Sequence, residues 1–122
     1  MSRLTMVKQG LGLASLGLGV AALIAPRRFA RLAGVAGAAA PEAIAAFGAR
    51  ELAAGAALLS PVKFGPFMWA RVAGDVMDLA GLAAAGRKPG ASHRLLAVAG
   101  VAVTAIAAFD LALALHDQQN PE

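Results

Sequence analysis

From Leu95 to Leu115 the chain carries a single charged residue, Asp110, and from Gln9 to Ala25 it carries none. A helix needs about 20 predominantly apolar residues to cross the hydrocarbon core of a bilayer, and runs of this kind supply them. A helix that packs in water needs a polar outer face, which neither run has. Composition extends the constraint to the whole chain: 59% of its 122 residues are hydrophobic and 15% charged. A soluble domain has about 45–50% and about 25%. The surplus lies in Ala, Leu, Gly and Val, which suit closely packed membrane helices. The expected fold is all-α: an integral membrane four-helix bundle, one domain over residues 1–122.

Breakers set the expected boundaries. The first span is placed at about 5–25. Its basic start (Arg3, Lys8) resembles a signal peptide, but the apolar run outlasts a signal core and meets Pro26-Arg27-Arg28 directly. Gly10 and Gly17, and Gly12 and Gly19, form two small-residue strips along it. Residues 26–35 read as a basic interfacial segment, with Phe29 and Leu32 dipping into lipid. Gly34 to Ala40 reads as a flexible connection. Pro41-Glu42 opens the second span, 41–59, and Ser60-Pro61 closes it. The third span runs over 66–85 with Trp69 as a headgroup anchor. After a Gly/Pro loop, Ser92 caps the fourth span, 93–115. The tail from His116 is expected to fray.

The net charge of +4 does not point to nucleic acid. Arg27, Arg28, Arg31, Arg87, Lys88 and Arg94 sit in connections between spans, where basic residues set topology and touch anionic headgroups. The opposite side holds Arg3, Lys8 and Lys63. That bias predicts both basic connections on the cytoplasmic side. There is no cysteine, so disulfides and thiolate metal sites are excluded. His93 and His116 sit at span ends without intramembrane partners, and no metal site or cofactor is expected. Gly10-x-Gly12 lacks a Rossmann context, and Met68 and Met77 read as packing residues.

The remaining charges are concentrated. Arg71, Asp75 and Asp78 stand at i, i+4 and i+7 on one face of the third span. Arg50 and Glu51 occupy the middle of the second span, and Asp110 the fourth. At a rise of about 1.5 Å per residue, all six lie about 7–18 Å below the non-cytoplasmic ends of their spans. Glu51 shares its face with Gly48 and Gly55, and Asp110 with Gly100, Val103, Ala107 and Ala114. Small neighbours let helices approach, so Arg71 is expected to bridge Asp75 on its own helix and Asp110 on the next. Four acids face two bases. One or two acids must hold a proton, or a cation or further partner must compensate.

The pattern Leu16-Gly-Leu-Gly19, Ala25-Pro-Arg-Arg28, Gly48-Ala-Arg-Glu-Leu52-Ala-Ala-Gly55 and Trp69-Ala-Arg-Val-Ala-Gly-Asp75-Val-Met-Asp78 covers most of the chain. It resembles small four-helix bacterial membrane proteins. Some of these carry a cyclase/dehydrase label because related segments precede a soluble START-like domain. It is also loosely similar to the DUF4267 membrane family. The resemblance implies a multi-pass protein of a bacterial inner membrane. Ending soon after its fourth span, this chain is expected to lack the soluble domain.

Three functions fit these residues. The first is a structural or interaction module, an accessory subunit whose charge cluster clasps the helices and whose small-residue surfaces meet a second copy or a larger membrane complex. The second is an acid–base enzyme on a lipid or isoprenoid-like ligand. Asp75 or Asp78 would be its acid, Glu51 or Asp110 its base, and Arg71 the orienting group. The third is a small proton- or cation-coupled carrier.

Overall fold

Helical hydrogen bonding flanks Pro26 on both sides. In a computed structural model, which describes residues 3–60 and 64–119, helix α1 (Arg3–Ile24) is followed at once by the short α2 (Pro26–Ala33). Proline has no N–H and crowds the preceding turn, which kinks a helix. Hydrogen bonding nonetheless continues on both sides, from Ala25 N–H to Ala21 O at 3.0 Å and from Phe29 N–H to Ala25 O at 2.9 Å. Three more helices follow, α3 (Ala40–Leu59), α4 (Phe64–Ala85) and α5 (His93–Gln119). The described residues are all helix, turn or loop.

Five helices thus stand where four spans and an interfacial segment were expected. Helix α4 begins two residues before Pro66, which is tolerated inside a first turn. Helix α5 does not fray at His116 but continues to Gln119. Ser92 caps it as its sequence position suggests, the Leu95 N–H donating to Ser92 Oγ at 3.3 Å. Ser60 ends α3, its hydroxyl and N–H both donating to Ala57 O. Pro61 and Lys63, assigned above to the α3–α4 connection, lie outside the described residues.

The chain forms two compact units. The first pairs α1 with α3, antiparallel. Gly12, Ser15, Gly19 and Ala22 make the buried stripe of α1, and Gly48, Glu51, Gly55 and Leu58 that of α3. Both have the 3-4-3 spacing of one helical face. The glycines meet in two reciprocal pairs. A Cβ on Gly19 would stand 2.8 Å from Gly48 O, and one on Gly55 would stand 2.7 Å from Gly12 O. A leucine of the facing helix fills each hollow: Leu52 over Gly19, Leu16 over Gly55, Leu23 over Gly48 and Leu59 over Gly12. Backbones this close bring dispersion along the whole seam and leave no room for another atom. Of the two strips in the first span, Gly12 and Gly19 are the packed one. A Cβ on Gly10 or Gly17 would meet nothing within 4 Å.

Phe29, expected at the lipid interface, is half-buried and packs on Phe47 of α3, ring centroids 5.7 Å apart and planes tilted by 44°. Leu32, its expected companion, is 70% exposed.

The second unit pairs α4 with α5 and includes the segment after α2. Met68, Ala114 and Asp110 have no exposed surface, and Ala85 and Leu96 are buried. Gly34 to Ala40 was expected to be a flexible connection. Its first residue is anchored, with Ser92 N–H donating to Gly34 O at 3.1 Å. Met77, read above as a packing residue, is 66% exposed, while Met68 fills the interior. Gly100 makes no close approach, for a Cβ there would meet nothing within 4 Å.

The seam gives a direct test. Gly19→Ala and Gly48→Ala, which push a methyl into backbone, should each destabilise the fold by about 1–3 kcal/mol. Gly17→Ala, in open space, should stabilise it by up to about 1 kcal/mol through helix propensity. Equilibrium unfolding measures both, and equal effects at Gly17 and Gly19 would contradict the packing.

Candidate functional site

The charge cluster of the second unit grows from helical spacing. Arg71 and Asp75 are four residues apart on α4, so both side chains leave the same face one turn apart. That face also carries Met68, fully buried one turn before Arg71. Asp110 leaves α5 on the side that carries the fully buried Ala114, a residue small enough to let the helices close. The result is a buried ion pair. Arg71 Nε donates to Asp110 Oδ1 at 3.2 Å. Arg71 is 8% exposed, Asp75 7% and Asp110 0%.

Asp75 stands against the Asp110 carboxyl, with Arg71 and Asp78 near enough to act on its charge. Asp78, another three residues along, is half-buried. One arginine therefore faces three aspartates within this unit. The two innermost acids each keep one oxygen, Asp75 Oδ2 and Asp110 Oδ2, buried and without a hydrogen-bond partner among the described residues. Buried acceptors without donors are rare and costly. A single proton on the Asp75–Asp110 pair would supply a donor and remove one of two adjacent negative charges.

The first unit holds the other two charged candidates. Glu51 is buried in the α1–α3 seam, between the two glycine contacts and at the level of the buried Ser15. Arg50, one residue earlier, points around the helix. Its guanidinium lies 5.6 Å from the Phe47 ring centre, and its Nη2 is 3.9 Å from Glu51 Oε1. At that distance the contact with Glu51 is long-range attraction rather than a hydrogen bond, and the aromatic face is a second partner.

The structure thus brings Arg71, Asp75, Asp78 and Asp110 together, and Arg50 with Glu51. Ser15 joins the seam as a buried polar residue. Its position between Gly12 and Gly19 was visible in the sequence, its closeness in level to Glu51 was not. The basic residues expected at headgroups, Arg27, Arg28, Arg31, Arg87, Lys88 and Arg94, are all exposed, and Trp69 is 41% exposed.

No protein-family model matches the chain, and no curated protein or solved structure matches it significantly.

The ion pair and the acid pair separate under substitution. Arg71→Gln leaves Asp110 buried without its counter-ion and should cost about 3–5 kcal/mol. Asp75→Asn replaces one acid of the pair by an amide that can donate to Asp110, and should stay within about 1 kcal/mol of the parent. Unfolding midpoints of the two variants decide it; a loss at Asp75→Asn as large as that at Arg71→Gln would exclude a protonated acid pair.

Proposed function

We propose that the protein is a multi-pass membrane protein in which buried charges clasp pairs of helices, and that it serves as a structural or interaction module, an accessory subunit of a larger membrane assembly. The observation that carries this reading is the contrast between the inside and the outside of the α4–α5 pair. Inside, Arg71 and Asp110 are bonded to each other and buried. Outside, Val76, Met77, Val98 and Val101 are each at least 60% exposed. Water would penalise that arrangement, and lipid favours it.

Two further features agree. Helices α1 and α5 contain stretches, Thr5–Ile24 and His93–His116, long and apolar enough to cross a membrane. On the exposed side of α5, the Thr104 hydroxyl donates to Gly100 O at 2.7 Å, one turn back along its own helix. This is how a hydroxyl satisfies itself where no water is at hand. Helices α3 and α4 carry three charges each, Glu42, Arg50 and Glu51 on one and Arg71, Asp75 and Asp78 on the other. In this reading each enters the bilayer beside an apolar partner helix. The proposed location is the inner membrane, with the basic connections on the cytoplasmic side.

An acid–base role on a lipid-like substrate draws support from the unpartnered carboxyl oxygens. The clasp is favoured over it because Asp110 has no exposed surface through which a substrate could reach it. The same burial disfavours a carrier.

Carbonate washing of membranes from cells expressing the protein should leave it in the pellet. Crosslinking in mild detergent should then recover a dimer or a larger complex. Release by carbonate would end the membrane reading; a clean monomer would end the interaction reading.

A further inference from the structure

Among the described residues, positive φ occurs at three glycines, Gly34 (+83°), Gly37 (+109°) and Gly90 (+83°). All three lie where the segment after α2 meets the loop between α4 and α5, within the second unit. Such angles are open to glycine at little steric cost. At Gly34 the space is as demanding as the angle. A Cβ there would stand 2.6 Å from Ser92 O and 2.8 Å from Leu96 N. The Lys88 side chain lies over Gly37, and Ala36 lies against Gly90. On the other side of the loop, His93 Nε2 meets Gly86 O at 2.9 Å, drawing its two ends together.

Two basic stretches far apart in sequence are therefore in contact. Arg31, Arg87, Lys88 and Arg94, all in these two stretches, are exposed. Neither 31–37 nor 86–95 contains an acid, so no neighbour in these stretches neutralises them. Exposed leucines stand beside the cations, Leu32 next to Arg31 and Leu95 next to Arg94. Neither stretch has a Phe or Trp on which a nucleic-acid base could stack.

We propose that this junction is a binding site for one anionic phospholipid, its phosphate held among Arg31, Arg87, Lys88 and Arg94 and its upper acyl chain against Leu32 and Leu95. The proposal rests on the membrane reading above. Cations flanked by apolar side chains match a charged headgroup joined to a hydrocarbon chain. A free phosphate would use only the cations.

The test is a titration of the protein in neutral detergent with a short-chain phosphatidylglycerol. Matching phosphatidylcholine, inorganic phosphate and a DNA duplex serve as parallel arms. Phosphatidylglycerol should bind one per chain and phosphatidylcholine should not. Arg31→Gln and Lys88→Gln should each weaken binding about fivefold at unchanged stoichiometry. Gly34→Ala keeps every charge and should also weaken binding, by forcing the two stretches apart. Equal binding of the two lipids would overturn the proposal. So would two equivalents of lipid per chain, one lost in each glutamine variant, since that means two separate loops. Displacement by phosphate or DNA at equal concentration would reassign the site. A protein that stays monodisperse without detergent would remove the membrane reading itself; one that needs detergent but ignores the headgroup removes this inference alone.

Discussion

The bond between Arg71 and Asp110 is the constraint around which the second unit is arranged. Neither residue could be left on an apolar helix surface without its partner, because an isolated ion in a low-dielectric medium is strongly disfavoured. Pairing α4 with α5 and neutralising the two charges are therefore one event. The depth of Asp110 on its helix has to match that of Arg71, and the small Ala114 has to lie at the contact. Asp75 follows from the same geometry, since a residue one turn from Arg71 on that face has nowhere else to point. Its closeness to Asp110 is thus a by-product of the clasp as much as a device in its own right.

The first unit solves the same problem by shape. Its seam runs on glycine hollows and leucine side chains, and its one fully seam-bound charge, Glu51, is flanked on both sides by glycine contacts. Each unit combines one helix that contains a long apolar stretch, α1 or α5, with one that has Arg and Asp or Glu in its middle, α3 or α4. The apolar member covers the polar stripe of its partner, and the remaining surfaces stay bare and hydrocarbon-like. Removing α1 would uncover Glu51, and removing α4 would leave Asp110 without its arginine.

Much of this was legible because helices have a fixed rise and period. The facing of Glu51 with Gly48 and Gly55, the meeting of Arg71 with Asp110 and the Ser92 cap all follow from counting residues. Other features depend on which of several equivalent options the partner helix takes. Gly10/Gly17 and Gly12/Gly19 have the same spacing, and it is the second that meets Gly48, Gly55 and the leucines of the facing helix. Phe29 was read as lipid-facing because its own segment is basic and short; Phe47, far along the chain, supplies the ring that holds it. The Gly34–Ser92 hydrogen bond is likewise non-local. Nothing in a run of small residues announces that it will be pinned to a loop in the other half of the sequence.

The glycine seam of α1 and α3 also bears on how those helices avoid aligning wrongly. Gly12 and Gly19 are seven residues apart, as are Gly48 and Gly55. Sliding one helix past the other by two turns would therefore still bring one glycine of each against the other. Shape alone distinguishes the native alignment from its neighbours by a single lost contact. Ser15 and Glu51 remove the ambiguity. Only the native alignment sets them at one level between two glycine pairs, whereas a slide would carry Glu51 opposite Gln9 or Leu23. A lone polar layer in an otherwise repetitive interface fixes register in this way. On this reading, Glu51 is less an adhesive than an index mark, the feature by which two nearly uniform helices find a unique match.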